Sequence, residues 1–318
     1  MRLSAKLALA VAVLAGIGGL VALTLTQPDR LSAEELSAFA PGDAARGERM
    51  FWAGGCASCH ARDDSKGEQL FELTGGVELD TPFGDFVAPN ISPHLEDGIG
   101  GWSLEDFANA MMRGVSPGGR HYYPAFPYAS YSRMQPGDIS DLFAFLATLQ
   151  PVEGRADDHR LSFPFNIRRG LGLWKQLYLG DEPVSALPAD ASDEVRLGRY
   201  LVEGPGHCGE CHTRRSRAGG VDKTQWLAGA AAAEGDGVVP NITSGEGGIG
   251  DWSGGDIVTY LETGFTPEFD TAGGVMAEVV RNMARLSDED RTAIAAYLKA
   301  VPALPNGYPA RDRAAPDK

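Results

Sequence analysis

Residues 55–60 read GCASCH and residues 207–212 read HCGECH. Both stretches contain the pattern C-x-x-C-H, in which two cysteines lie three positions apart and a histidine follows at once. The two copies use all four cysteines of the 318-residue chain and two of its six histidines. At these residue frequencies about 0.001 copies would arise by chance. The repeated pattern therefore has a chemical cause.

Each motif can bring its reactive side chains to one point. Residues three and four positions apart share one face of a helix, so two thiols and an imidazole would surround the same place. This set is typical of haem c, in which the thiols are bonded to the haem vinyl groups and the imidazole binds the iron. We therefore predict two covalent haem groups, each held by two cysteines and an axial histidine. The residues are Cys56, Cys59 and His60 in the first copy and Cys208, Cys211 and His212 in the second.

Two other uses of four cysteines fit the spacing less well. A disulfide within one motif would close a loop of only a few residues and would stabilise the fold little. The two cysteine pairs of a structural zinc site usually lie within about 20 residues of each other. Here the motifs begin 152 residues apart. Redox-active disulfides are the main remaining alternative to haem attachment.

The N-terminal 30 residues differ in character from the rest of the chain. Arg2 and Lys6 precede an uncharged stretch from Leu7 to Thr26, which is long enough to cross a bilayer as one helix. We predict a membrane anchor over residues 1–30, in the inner membrane, with the remainder of the chain in the periplasm. A cleaved signal peptide is the alternative, although its apolar region usually has only about 7–15 residues and an A-x-A site after it.

The two motifs belong to a longer internal repeat. VAPNIS at 87–92 recurs as VVPNIT at 238–243, and GIGGWS at 98–103 recurs as GIGDWS at 248–253. Apolar residues at helical spacing close each half, within 137–149 and 289–301. We predict a mainly α-helical chain with two domains of one fold after the anchor. The predicted segments are a short linker at 31–41, domain 1 at 42–150, an interdomain linker at 151–191, domain 2 at 192–304 and a tail at 305–318.

The interdomain linker contains FPFNIRRGLGLWKQLYL at 163–179. Its apolar residues recur at helical spacing, which predicts a helix with one apolar face. That face would consist of Ile167, Leu171, Trp174, Leu177 and Tyr178. We expect this helix to pack between the domains and to fix the distance between the two cofactors. Core packing without any effect on that distance is the alternative.

The sixth iron ligand decides between electron transfer and catalysis, because a methionine there closes the iron to substrates. In the first half we predict Met134, which directly precedes the closing helix. In the second half we predict Met276, which follows two glycines and suits a loop that approaches the haem. The alternatives are Met111, Met112 and His121 in the first half and Met283 in the second.

Three further repeated residues are predicted to surround each haem. A ligating imidazole normally donates its other N–H to an oxygen atom, and the repeated Pro-Asn-Ile segments are candidates for that role. The same segments also match glycosylation sequons. A tryptophan after each Gly-Ile-Gly turn can line a haem edge, donate to a propionate, or simply fill the core. These residues are Pro89, Asn90 and Trp102 in the first half and Pro240, Asn241 and Trp252 in the second.

The exported part resembles the class I cytochrome c subunits of membrane-bound alcohol and sugar dehydrogenases. The resemblance rests on GRHYYPAFPYASYSRM at 119–134, the FPFNIRR linker, GPGHCGECHT at 204–213, WLAG at 226–229 and PNIT followed by GIGDWS. It implies two tandem class I cytochrome c domains, His/Met ligation of both irons and a periplasmic dehydrogenase large subunit as partner. Such subunits usually carry three haem motifs and often read YPAMPY, whereas this chain has two motifs and Phe126 at that methionine.

The net charge of −15 excludes nucleic acid as a partner and favours basic docking faces on other proteins. We predict a membrane-tethered dihaem cytochrome c that carries single electrons between a donor, either a dehydrogenase or a quinol-oxidising complex, and a respiratory acceptor. It is expected to be an electron carrier and not an enzyme. The alternatives are a dihaem redox enzyme such as a peroxidase, and a non-catalytic haem module for sensing or assembly.

Overall fold

Two pairs of helices cross in the same way in the two halves of the chain. In the first half α3 (Ala44–Ala53) crosses α7 (Pro136–Leu146), and in the second α9 (Asp193–Glu203) crosses α13 (Asp288–Ala300). A Cβ atom on Gly47 would lie 1.9 Å from the carbonyl oxygen of Asp141, and one on Gly198 would lie 1.8 Å from that of Ala293. Each crossing therefore requires a glycine, because the backbones touch.

This computed structural model describes residues 2–232 and 237–308, with side chains from residue 6 onward. The chain is mainly helical, and the last ten residues of the predicted tail lie outside the described residues. Before the first crossing pair come α1 (Arg2–Leu25) and α2 (Ala33–Leu36). The first half continues with α4 (Cys56–His60), α5 (Leu104–Ala108) and α6 (Tyr128–Tyr131). The second contains α10 (Gly209–His212), α11 (Gly254–Thr263) and α12 (Val275–Met283), and α8 (Leu171–Tyr178) lies between the halves.

Strands are few and short. A three-stranded antiparallel sheet has the order β1 (Glu78–Leu79), β2 (Gly84–Val87) and β3 (Arg160–Leu161). Its register pairs Glu78 with Val87 and Gly84 with Leu161. A second antiparallel pair joins β4 (Ala230–Ala231) to β5 (Val238–Val239). A π-helical turn at Asn109–Arg113 continues α5, and 3-10 turns lie at Gly67–Phe71, Arg168–Gly170 and Lys223–Gln225.

The sequence repeat is also a structural repeat. Ser103 and Ser253 both cap the following helix in a capping box with an aspartate three residues later. Later in each half the chain turns back on itself, with Val115 bridged to His121 and Phe265 bridged to Thr271. Equivalent side chains in the two halves can therefore be identified by position in the structure as well as by sequence.

The first helix is one apolar segment long enough to be a membrane anchor or a signal peptide. Its span Lys6–Leu25 has a mean hydropathy of 2.4, and none of the span is buried inside the rest of the chain. The next residue, Thr26, is only 7% exposed, since it packs on the linker that contains α8. The chain therefore packs against the folded part directly after the apolar span.

The linker helix α8 contacts both halves, as the sequence predicted. The indole of Trp174 donates to the carbonyl of Ala218 in the second half at 2.9 Å. The Lys175 ammonium donates to the carbonyls of Arg113 and Gly114 in the first half, at 2.5 and 2.7 Å. The predicted apolar face was partly wrong. Ile167 and Leu177 are 53% and 75% exposed, because the face that packs between the halves is formed around Trp174, Lys175 and Tyr178.

Candidate haem-binding sites

Each C-x-x-C-H motif forms one short helical turn directly after the first long helix of its half. The chain leaves α3 through Gly54 and Gly55, and Gly55 takes a left-handed conformation with φ of 58°. In the second half His207 plays the same part with φ of 38° before α10. All four cysteines are free thiols. In both halves the two cysteines and the histidine therefore lie within or next to a single short turn.

Three of the four cysteines, Cys56, Cys59 and Cys208, are partly buried, and Cys211 is exposed. Burial raises the pKa of Cys56 and of Cys208 to about 12. Burial also raises the pKa of Cys59, and the nearby Cys211 adds to that shift. These sulfurs are protonated at neutral pH, in contrast to the low-pKa thiolates of redox-active C-x-x-C pairs. The raised pKa values therefore speak against redox-active disulfide chemistry at these cysteines.

Both histidines are held in the orientation that an iron ligand needs. The Nδ1 atom of His60 lies 2.7 Å from the carbonyl oxygen of Pro89, and that of His212 lies 2.8 Å from the carbonyl oxygen of Pro240. Burial lowers the pKa of both imidazoles, so each is neutral and donates from Nδ1. The lone pair of each Nε2 is then available to a metal. The residues of both motifs therefore fit a covalently bound haem.

The predicted Pro-Asn-Ile segments contact the histidines through their proline carbonyls, and their two asparagines hold the surrounding loops. The Nδ2 of Asn90 donates to the carbonyls of Val152 and Gly154, both at 2.8 Å. The Nδ2 of Asn241 donates to the carbonyl of Leu304 at 2.8 Å. Each asparagine thus ties its loop to the segment after the closing helix, while the preceding proline accepts from the histidine. Both are at most 4% exposed, which also excludes them as glycosylation acceptors in the folded chain.

The two tryptophans lie at equivalent positions before α5 and α11. Trp102 and Trp252 are half-buried and pack against the core. The ring of Trp252 also meets that of Tyr260 edge to face, with centroids 5.4 Å apart. A role for either at a haem edge stays a prediction.

The predicted sixth ligands do not lie at equivalent positions. The amide of Tyr122 donates to Gly114, and that of Ala272 donates to Gly264 in the same way. Twelve residues after each of these glycines stand Phe126 and Met276, respectively. The position of Met276 is therefore occupied by phenylalanine in the first half.

Met134 has its own counterpart in the second half. Its amide donates to the carbonyl of Tyr131, and the amide of Leu286 donates to that of Met283. Met134 is therefore equivalent to Leu286, and Met283 is equivalent to Tyr131. In the sequence, equivalent residues of the two halves lie 150 positions apart near Phe126 and 152 positions apart near Met134. This change of two residues indicates that Met134 and Met276 are not equivalent.

Of the other first-half candidates, His121 is engaged elsewhere and the two methionines lie within or against the core. Met111 is buried in the π-helical turn, and Met112 beside it is half-buried. The Nε2 of His121 lies 3.1 Å from the carbonyl oxygen of Thr26, at the end of the apolar helix. Met134, which is 3% exposed, stays the prediction for the first half.

One feature of the site was missed from the sequence: each motif is hydrogen-bonded to the opposite half. The Nδ2 of Asn282 donates to the hydroxyl of Ser58, inside the first motif, at 2.7 Å. The hydroxyl of Ser130 donates to the carboxylate of Glu210, inside the second motif, at 2.8 Å. Ser58 and Glu210 occupy the same place in their motifs, so these contacts are related by the repeat. The two attachment turns therefore face each other across the boundary between the halves.

A helical fold with two such turns, each with free thiols and an oriented neutral imidazole, defines a c-type cytochrome. The sequence model described as cytochrome c matches residues 44–150. The chain is 53% identical over 304 residues to a "Diheme cytochrome c-type" protein of Cereibacter sphaeroides, covering 96% of this chain and 100% of that protein. The chain therefore belongs to the cytochrome c family, which implies covalent haem c and a role in electron transfer.

More distant relatives are subunits of larger enzymes. The chain is 36% identical over 260 residues to the fructose dehydrogenase cytochrome subunit of Gluconobacter japonicus, covering 81% of this chain and 52% of that subunit. It is 35% identical over 272 residues to the alcohol dehydrogenase (quinone) cytochrome c subunit of Gluconobacter oxydans, covering 82% and 55%. The chain spans about half the length of these two relatives.

Proposed function

We propose that this protein is a membrane-anchored periplasmic cytochrome c with two haem groups in two tandem class I domains, at 42–150 and 192–304. It would accept single electrons from a donor and pass them to a respiratory acceptor. The observation that carries the proposal is the pair of equivalent histidines, each with Nδ1 hydrogen-bonded to a proline carbonyl and Nε2 free. A bound haem iron supplies a one-electron carrier that alternates between the ferric and ferrous states.

The side chains of the two motifs would hold the cofactors and keep their positions fixed. Cys56 and Cys59 would attach the first haem, and Cys208 and Cys211 the second. The proline carbonyls fix the ring orientation of both histidines, and a hydrogen bond to a ligating imidazole also makes it a stronger electron donor to the metal. The contacts of Ser58 with Asn282 and of Ser130 with Glu210 keep the two attachment turns at one separation. A fixed separation favours transfer between the two centres.

Retention of the N-terminal helix as an anchor is supported by the residues that follow it. A Cβ atom on Gly172 would lie 2.5 Å from the Cα of Thr26, so the linker fits closely around this residue. The amide of Leu31 donates to the buried side chain of Asn109 at 2.8 Å. Arg30 forms an ion pair with Asp106 at 3.3 Å. A signal-peptidase site directly after the apolar span would therefore lie in a segment that is packed into the first half.

The relatives that are subunits of fructose and alcohol dehydrogenases favour a periplasmic dehydrogenase as the donor. The charge of −15 favours a basic docking face on that partner. A tethered shuttle that receives electrons from a quinol-oxidising complex is the second candidate. It is favoured by the full-length match to a relative described only as a dihaem cytochrome.

Two measurements test this proposal. Haem content should be two per chain, and one per chain in a Cys208→Ala/Cys211→Ala variant; a single haem in the unaltered protein would contradict the dihaem assignment. Purification from native membranes in mild detergent, with mass spectrometry of the co-purifying chains, should recover a dehydrogenase large subunit. Recovery of a quinol-oxidising complex would favour the shuttle.

A separate assay addresses the peroxidase alternative: high-spin haem with rapid peroxide turnover would indicate a peroxidase.

A further inference from the structure

The last turn of α1 is held by the linker that joins the two halves. Arg169 donates from Nη2 to the carbonyl of Leu23 at 2.8 Å and from Nε to the hydroxyl of Thr26 at 3.0 Å. Gln176 donates from Nε2 to the carbonyl of Leu25 at 2.5 Å. Carbonyls in the last turn of a helix lack partners within the helix, so these side chains cap α1. The linker is thereby fixed against the end of the apolar span.

The same contacts determine which face of α8 lies beside α1. Arg169 lies in the 3-10 turn directly before α8, and Gln176 lies on α8 itself. Leu173, three residues before Gln176, shares its face of the helix. Leu173 stands between the two residues that cap α1, and Leu177 follows it one turn later. Leu173 is 47% exposed and Leu177 is 75% exposed. Two leucines thus leave much of their apolar surface uncovered next to the end of α1.

The length of α1 locates this face relative to a bilayer. Twenty residues from Lys6 to Leu25 rise roughly 30 Å as a helix, which matches the hydrocarbon thickness. When Lys6 lies at one boundary of the hydrocarbon, Leu25 lies at the other. Residues that hydrogen-bond to Leu23 and Leu25 are then in the headgroup layer. Leucines at this depth contact acyl chains and not bulk water.

Cationic side chains gather around the same place in an acidic chain. Arg168 donates from Nη1 to the carbonyl of His121 at 2.8 Å and lies over the ring of Tyr123. Arg169 follows it at the end of α1. Within residues 2–232 and 237–308, neither Arg168 nor Arg169 forms a salt bridge with an acidic side chain. Guanidinium groups in the headgroup layer pair with lipid phosphates.

We propose that α8 is a second membrane contact, which inserts Leu173 and Leu177 into the periplasmic leaflet beside α1 while Arg169, which caps α1, lies in the headgroup layer. This inference rests on the proposed retention of α1 as an anchor. A single spanning helix would leave the haem-bearing part free to tilt, whereas α8 gives it one orientation on the membrane. The chain would then present a fixed side to its redox partners.

Photo-crosslinking to lipid tests this proposal in the full-length, haem-loaded protein. The reporter is p-benzoylphenylalanine, introduced at Leu177, at Leu14 within α1, or at Leu95 in a loop of the first half. Leu95 is the matched control, because it is 75% exposed, the same as Leu177. Each variant is placed in nanodiscs of phosphatidylglycerol and phosphatidylethanolamine, irradiated, and analysed for lipid adducts by mass spectrometry. An unchanged haem spectrum verifies that each variant is folded.

The expected result is lipid adducts at positions 14 and 177 and none at 95. Adducts at 14 alone would overturn the membrane contact of α8 and leave the anchor intact. Equal adducts at 95 and 177 would also overturn it, because the contact would not be specific to α8. A mature protein that lacks residues 1–25 by intact mass would overturn the anchor, and this inference with it.

Discussion

Arg49 of α3 and Asp290 in the first turn of α13 form a two-bond ion pair between the halves of the chain. The Nη2–Oδ1 and Nε–Oδ2 distances are 2.6 and 2.9 Å. The Asp290 side chain is 4% exposed and that of Arg49 is 37% exposed. The buried carboxylate has lost its contacts with water, and the two hydrogen bonds from the Arg49 guanidinium compensate for that loss.

At the equivalent place in the internal repeat, a tyrosine–aspartate hydrogen bond replaces this ion pair. Tyr200 on α9 stands where Arg49 stands on α3, and its hydroxyl donates to Asp138 at the start of α7. In each half, a side chain of the first long helix thus contacts the closing helix of the other half. The interface is built like that of a two-fold dimer whose subunits are joined in one chain.

We predict that Arg49→Met destabilises the protein by about 1–3 kcal/mol, since it leaves Asp290 buried without its partner and the pair is partly exposed. Hydrogen exchange should accelerate at the starts of α13 and α7 more than at the crossing of α3 and α7. Arg46→Met is the matched control, because Arg46 pairs with Asp141 within the first half. Equal effects of the two variants on exchange at the boundary would show that Arg49 has no special role between the halves.

Met276 is predicted to be the sixth ligand of the second haem. Replacement by leucine should abolish the charge-transfer band of methionine-ligated ferric haem for one of two haems and open that iron to carbon monoxide. Met283→Leu is the control, because Met283 is 5% exposed in the core and should affect stability and not the spectrum. Loss of the band in Met283→Leu, with Met276→Leu unchanged, would reverse the assignment.

The first haem provides a sharper test, because Phe126 occupies the position equivalent to Met276. If Met134 is the ligand, Met134→Leu should remove the remaining methionine band, and Phe126→Met alone should leave the spectrum as it is. Phe126 packs against Tyr131 and Tyr122 with ring centroids 5.6 and 5.8 Å away, so the stability of this variant is measured alongside its spectrum. Gain of a methionine band only in Phe126→Met would mean that the natural first haem is ligated differently.

The attachment turns and closing helices of this chain could be predicted from its sequence, but the contacts between its two halves could not. C-x-x-C-H spacing and helical periodicity are properties of neighbouring residues, so the turns α4 and α10 and the closing helices were predicted correctly. The hydrogen bond from Asn282 to Ser58 joins residues 224 positions apart. No local pattern encodes such a contact, and only the repeat, compared residue by residue, indicates that Ser130 and Glu210 should form its equivalent.

Two predictions depended on which neighbour each side chain meets. The recurring Pro-Asn-Ile segments were predicted to hydrogen-bond the histidines; the carbonyl of Pro89 does so, while the amide of Asn90 holds the loop. Leu177 was predicted to lie on the apolar face that packs between the domains, because its spacing matched that face. Spacing cannot indicate whether such a face meets protein or lipid, and in this chain Leu177 is exposed beside the end of α1.

The Lys175 ammonium is buried between α8 and the first half, over the ring of Tyr128 at 4.8 Å. Burial lowers its pKa from 10.5 to about 7, while the charge of Asp29 opposes the shift. Between these two values the unfolded chain binds a proton that the folded chain has lost. Stability should therefore rise with pH across this window, because the folded site prefers the neutral amine.

Chemical denaturation at a series of pH values from 7 to 10.5 measures this contribution. We expect Lys175→Met to remove the rise that the unaltered protein shows, since methionine keeps an apolar stem and cannot titrate. Lys299→Met is the control, because Lys299 also donates to two carbonyls, those of Gly250 and Trp252, but is exposed. A pH dependence that is the same in Lys175→Met and in the unaltered protein would show that the ammonium stays charged in the fold, held by the carbonyls of Arg113 and Gly114.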